Sequence, residues 1–294
     1  MPFFEKGETP MELLAVILLF IFIIAGHEAG HALAARAFGV GIKKFSIGIG
    51  PGITIFRTKN FPVVFSPIIL GGYIIMKSRY MPEEEQAAIA GTCYEDALYW
   101  KKMVILSAGV LMNLLTAVIL LSILFIFFPG AEVQALGQRF VVRIVEEPYL
   151  APLLAAKYTF ALFGQICLGI VAAVPEIILN VWKIMTTLNP QAGRGLIGAF
   201  RGGAEAASFN AASFVFLGYF FSVIVAAFNI LPLGFLDGGI MLTQTVEKIF
   251  GSGRPVKIAQ TIIKIIGFVF LLSLLLLSCG SDIADVTRAV RSHF

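Results

Sequence analysis

The stretch LLAVILLFIFIIAGHEAGHALAARAF, Leu13 to Phe38, decides the fold. Its first half, Leu13 to Gly26, carries no charge, and His27, Glu28 and His31 then follow in quick succession. A helix rises 1.5 Å per residue, so about 20 apolar residues cross a hydrocarbon layer of roughly 30 Å. The stretch is therefore predicted to be a membrane span with two imidazoles and a carboxylate inside it.

The rest of the chain agrees. Of 294 residues, 58% are hydrophobic and only 14% are charged, whereas a soluble domain carries about 25% charged residues. Such a composition cannot coat a water-facing globule, which excludes a soluble enzyme, and it is too apolar for a disordered chain. A net charge of +4 with no long basic run suits the loops of a membrane protein and gives no footprint for nucleic acid. Cys93, Cys167 and Cys279 lie far apart and frame neither a disulfide scaffold nor a cysteine zinc site. A cleaved signal peptide is not expected, because Glu5, Glu8 and Glu12 outweigh Lys6 ahead of the apolar run.

Three further stretches reach spanning length: Met103 to Phe128, Ser213 to Leu233 and Ile258 to Ser278. A fifth, Tyr158 to Met185, is interrupted by Pro175, Glu176 and Lys183. Lys and Arg mark cytosolic loops. The loop after the first span holds Lys43, Lys44, Arg57, Lys59, Lys77, Arg79, Lys101 and Lys102, while the loop after the second balances Arg139, Arg143 and Lys157 against Glu132, Glu146 and Glu147. Lys248, Arg254 and Lys257 return after the Ser213 span. These charges agree only if Tyr158 to Met185 does not cross, so it is expected as an interfacial helix at the outer side. The expected fold class is an all-α polytopic membrane protein, residues 1–294 forming one domain. It has about four transmembrane helices, the interfacial helix, and a small membrane-associated β-hairpin in Phe61 to Met76. That segment is rich in β-branched and aromatic residues, with Gly71-Gly72 as its bend.

His27 and His31 are four residues apart, so on a helix both rings can reach one metal ion. Zinc with two histidines, one carboxylate and an open position lowers the pKa of a bound water towards about 7. Glu28, beside His27, is placed to act as the base. The bland alternative is a pair of histidines satisfying a helix interface. Ionisable groups at mid-membrane cost roughly 2.5–3.5 kcal/mol on insertion scales and tend to be functional, which favours the metal. The third ligand must be a carboxylate, since His293 is remote. Glu176 and Asp237 both lie in apolar segments. Asp237 is favoured because Pro232, Gly234, Gly238 and Gly239 surround it and break the helix at a position where broken helices line cavities. A helix cap is its ordinary alternative role.

Together these residues resemble the site-2 protease family of intramembrane zinc metalloproteases, and most closely the bacterial regulator-of-sigma-E proteases. His27-Glu-Ala-Gly-His31 is similar to the family's HExGH, and Phe228 to Gly239, FNILPLGFLDGG, to its FNLLPIPxLDGG. Gly71-Gly-Tyr73 resembles its substrate-contacting β-loop, and Ser107 to Asn113 its GPxxN segment. The resemblance covers most of residues 11 to 280. It implies Zn2+ held by His27, His31 and Asp237, Glu28 as the catalytic base, and substrate contacts at Asn229, Gly71, Gly72, Tyr73 and Asn113. It also implies a multi-pass protein of a bacterial inner or plasma membrane that cuts single-pass membrane proteins or signal-peptide remnants in the lipid bilayer, as regulated intramembrane proteolysis. Three features depart from the pattern. Val110 and Gly234 stand where the family has proline, Arg194 to Gly198 lacks a further proline, and only 29 residues separate Phe128 from Tyr158, too few for a PDZ domain. Two other classes use similar residues: a metal-binding transporter and a catalytically inactive client-binding protein. Glu28 speaks against both, because neither needs a base beside the ligands.

Overall fold

The computed structural model describes residues 10–135, 138–187, 196–269 and 272; helix side chains within 173–202 fall outside that description. Three helices make the centre: α1 (Pro10–Ala37), α3 (Tyr99–Phe127) and α6 (Ala211–Asn229). Each is apolar on all sides. α1 buries Val16, Ile23 and Ile24 on one face and exposes Leu14, Leu18 and Phe22 on the other, as a helix does when protein packs one side and lipid faces the other. Four helices among the described residues are long and apolar enough to cross a membrane: α1, α3, α6 and Pro148–Ala172. The expected span Ile258 to Ser278 is helical over 254–269, and most of its remainder lies outside the described residues.

Between α1 and α3 stands a mixed sheet, not an isolated hairpin. Its strands are β1 (Ile42–Ile49), β2 (Ile53–Arg57), β3 (Pro62–Phe65) and β4 (Ile68–Met76), in the order β2-β3-β1-β4. β1 pairs parallel with β3 and antiparallel with β4, so the expected pairing of the two halves of Phe61–Met76 does not occur. The reversal falls at Ser66-Pro67, where the chain crosses Gly48 so closely that any Cβ there would overlap the Ser66 carbonyl. Gly71-Gly72 is not a bend; it lies within the continuous strand β4. Phe45, Val63 and Ile42 of the sheet pack with Ala32, Ala35 and Ile105, fixing the sheet against α1 and α3. The all-α expectation is corrected accordingly.

The interfacial placement of Tyr158 to Met185 also needs revision. The segment belongs to α4 (Ala151–Thr187), which passes through Pro175 without a break. Ala151, Ala155 and Leu162 pack with Ala117, Leu121 and Leu124 of α3 and with Ala212 and Val223 of α6. Phe163 reaches the cluster of Val110, Leu114 and Ala226. α4 therefore descends along both helices instead of lying across their ends. Its small and apolar residues recur at helical spacing, a stripe that outweighs the polar residues near Pro175. α5 (Leu196–Phe209) leads back: Gly203 sits against Val16 and Leu217, and Asn210 donates to the Glu132 carbonyl in the hairpin of β5 (Glu132–Ala135) and β6 (Gln138–Val141). Asn210, at the end of α5, thus lies beside the hairpin that precedes α4.

A connector that includes α2 (Glu83–Ala88) joins β4 to α3 and is tied down by side chains. Lys77 Nζ donates to the Ile89 carbonyl at 2.7 Å, Lys102 Nζ to the Glu95 carbonyl at 2.9 Å, and Arg79 pairs with Asp96. Partial burial pushes the Glu95 carboxyl up, but the Ser78 hydroxyl at 2.6 Å and the Arg79 N–H at 3.0 Å more than offset it, leaving the pKa below its ordinary value of 4.5. A depressed folded-state pKa contributes stability above the unfolded value, and that contribution is lost as pH falls through the folded one. Glu95→Gln is therefore expected to lower the thermal midpoint in detergent at neutral pH, with the gap to wild type closing as pH falls below the ordinary glutamate value and through the depressed one; a pH-independent gap would contradict this.

Candidate metal centre

α1 presents His27 and His31 one turn apart, with ring centroids 4.8 Å apart and Nε2 atoms 3.2 Å apart. α6 ends at Asn229, residues 230–236 unwind, and α7 (Asp237–Phe250) starts on the third group. Asp237 Oδ2 lies 3.1 Å from His27 Nε2 and 3.2 Å from His31 Nε2. The unwinding is dictated locally. Pro232 has no N–H to give, and Gly234 sits at φ +34°, a value proline's ring forbids. The helix over 254–269 closes onto this point: a Cβ at Gly267 would lie 2.6 Å from Gly234 Cα.

These residues fit a cation. His27 and His31 are 5% and 6% exposed. The Nδ1 of His31 lies 2.7 Å from the Ile105 carbonyl, so Nδ1 carries the proton and Nε2 turns its lone pair inward. Asp237 Oδ2 is buried without a hydrogen-bond partner. The three candidate ligand atoms lie within 4.8 Å of one another, the cluster of this kind found among the described residues. α3 crosses them with Gly109, where a Cβ would come 2.7 Å from His27 Nε2 and overlap His31 Nε2. Glycine thus leaves the space an ion needs. Sequence reasoning misses this residue; its signal is the small run Ser107-Ala-Gly109 on a span that must face the histidines.

Glu28 is 7% exposed and lies under β4. A Cβ at Gly72 would sit 2.7 Å from Glu28 Cγ and 2.9 Å from the Ser46 carbonyl, so only glycine lets the strand rest on this carboxylate. The other expected substrate contacts are placed differently. Gly71 faces Ile49. Tyr73 accepts from Lys44 Nζ at 2.7 Å, and that ammonium holds the phenol's pKa below its usual value. Asn229 donates to the Val225 carbonyl one turn back in its own helix. Asn113 is fully buried and faces His27, not the strand. The Glu176 side chain lies outside the described residues.

The sequence has known relatives. The model of Peptidase family M50, the site-2 protease family, matches residues 15–274, and the chain belongs to that family. A Borreliella burgdorferi protein named "Putative zinc metalloprotease" is 38% identical over 128 residues, covering 42% of this chain and 29% of that protein. Proteins of the same name from Chlamydia trachomatis and Helicobacter pylori are 31% and 34% identical over 124 and 108 residues, covering 40% and 36% of this chain. The chain matches 20% of the Chlamydia trachomatis protein's length and 31% of the Helicobacter pylori protein's.

Asp237→Ala and Gly109→Ala are both expected to weaken metal binding by more than about tenfold, the first by removing a ligand and the second by filling the ion's space. Metal content after dialysis against a graded chelator checks this, and full occupancy in Asp237→Ala would remove it from the ligand set.

Proposed function

We propose that this chain is an intramembrane zinc metalloendopeptidase of a cell membrane. Its substrates are transmembrane segments of single-pass membrane proteins or signal-peptide remnants, cut in regulated intramembrane proteolysis. The observation that carries this reading is the glutamate beside the three ligands, held beneath an edge strand.

Zinc, when bound by His27, His31 and Asp237, supplies a Lewis acid that acidifies water and polarises a peptide carbonyl. Glu28 takes the proton from the attacking water and passes it to the leaving amine nitrogen. Burial of Glu28 beneath β4 keeps bulk water from competing. β4 is the last strand of its sheet, paired with β1 on one side, and its face at Gly72 lies over the base. A transmembrane helix shields its peptide bonds with its own hydrogen bonds, so cleavage requires unwinding, and the freed groups need partners that lipid cannot supply. Strand addition to the β4 edge provides them. A transporter would need neither the base nor the edge, and an inactive client-binding protein would need the edge alone.

Glu28→Gln is expected to retain zinc and lose about 10²–10⁴-fold in cleavage rate. Proline placed at successive β4 positions is expected to slow cleavage in an alternating pattern with zinc content unchanged, because alternate N–H groups face the free edge. Undiminished cleavage by Glu28→Gln would remove Glu28 as the base, no cleavage by the zinc-loaded wild-type chain would defeat the protease reading, and a flat proline scan would defeat strand addition.

A further inference from the structure

Asn113 has its backbone and side chain engaged by two different helices. It is 0% exposed in the middle of α3. Its side-chain amide lies 3.2 Å from Nδ1 of His27 on α1. Its backbone carbonyl accepts a 2.8 Å hydrogen bond from the hydroxyl of Ser222 on α6, which is itself 0% exposed. The amide oxygen is buried and has no partner in this orientation. Once Nε2 of His27 is a ligand, the neutral ring carries its proton on Nδ1. That proton needs an acceptor, because a buried donor left without one is costly. A half-turn of the amide about Cβ–Cγ brings Oδ1 to the ring proton, so Oδ1 accepts the Nδ1–H and the amide NH2 takes the place that Oδ1 now holds. His31 needs no such side chain, because the Ile105 carbonyl already accepts from its Nδ1.

We infer that Asn113 is a positioning residue for the metal ligand His27, accepting its Nδ1–H, and that Ser222 holds Asn113 in place through the α3 backbone. This rests on the zinc reading above. It replaces the substrate contact expected for Asn113, which a fully buried side chain turned towards His27 cannot make. It also ties the ligand-bearing helices together: α6, which leads through the unwound segment to Asp237, braces His27 from the opposite side by way of α3.

The test uses the full chain in detergent, with zinc affinity measured by competition against a chelator of known strength. The visible spectrum of the Co2+-substituted protein reports ligand geometry independently of cleavage. Asn113→Leu keeps the volume and removes the acceptor; it is expected to weaken zinc binding about 10–100-fold, the usual range for an outer-shell partner of a ligating histidine, and to shift the Co2+ spectrum. Asn113→Asp keeps the acceptor oxygen and is expected to restore affinity to within a few-fold of wild type. Ser222→Ala is expected to weaken binding by a smaller factor, about two- to fivefold, with an unchanged thermal midpoint in the metal-free protein. Wild-type affinity in Asn113→Leu would overturn the inference while leaving the zinc site intact. Equal weakening in Asn113→Leu and Asn113→Asp would also overturn it, because the residue would then act through packing. A wild-type chain that binds no zinc would overturn both this inference and the proposed function.

Discussion

Polar groups that must ionise or ligate have been placed inside helices that otherwise present only hydrocarbon, and each needs a partner that water cannot supply. This constraint organises the structure around residue 27. The Ile105 carbonyl and the Asn113 amide stand at the outward nitrogens of the two rings, and the inward nitrogens converge with Asp237. The helices can bring these groups together only where a side chain is missing, at Gly109 over the rings and at Gly72 over Glu28. Close backbone approach is thus the means by which an apolar bundle encloses a polar centre. Elsewhere the bundle packs as an ordinary membrane protein does, with small residues such as Ala117, Ala212 and Ala226 where helices meet.

Much of the centre is legible in the amino-acid sequence alone. The spacing of His27 and His31 specifies one face of one helix, and so few ionisable residues enter the apolar segments that the ligands stand out by rarity. Asp237 is readable because Pro232 and the surrounding glycines announce a broken helix. The residues that shape the space between the ligands are not readable in the same way. A glycine in a span carries no charge pattern, and Gly109 acquires its role only once α3 lies across α1.

Where sequence and fold part company, the physical origin is shared. Gly71-Gly72 reads as a turn because glycine favours turns, but here the missing Cβ admits a neighbouring side chain and the strand runs straight through. The segment 158–185 reads as interfacial because the Lys and Arg of the loops agree only if it does not cross, yet the stripe through Ala151, Ala155 and Leu162 finds a complementary surface on α3 and α6. In both cases local composition is overruled by what packs against it, and that partner is distant in sequence.

The order in which the chain supplies the centre has its own consequence. His27, Glu28, His31, Gly72, Gly109 and Asn113 all come from the first 113 residues, and the sheet that orders them is closed by residue 76. Asp237 alone comes much later, after α4, α5 and α6. A chain made from its N-terminus and folding element by element assembles both histidines, the base and the covering strand while more than half of its length is still to be synthesised. The missing carboxylate then arrives as the final component, on a helix that cannot dock until the excursion through α4 and α5 has returned. The growing polypeptide thus passes through the membrane with its metal centre incomplete.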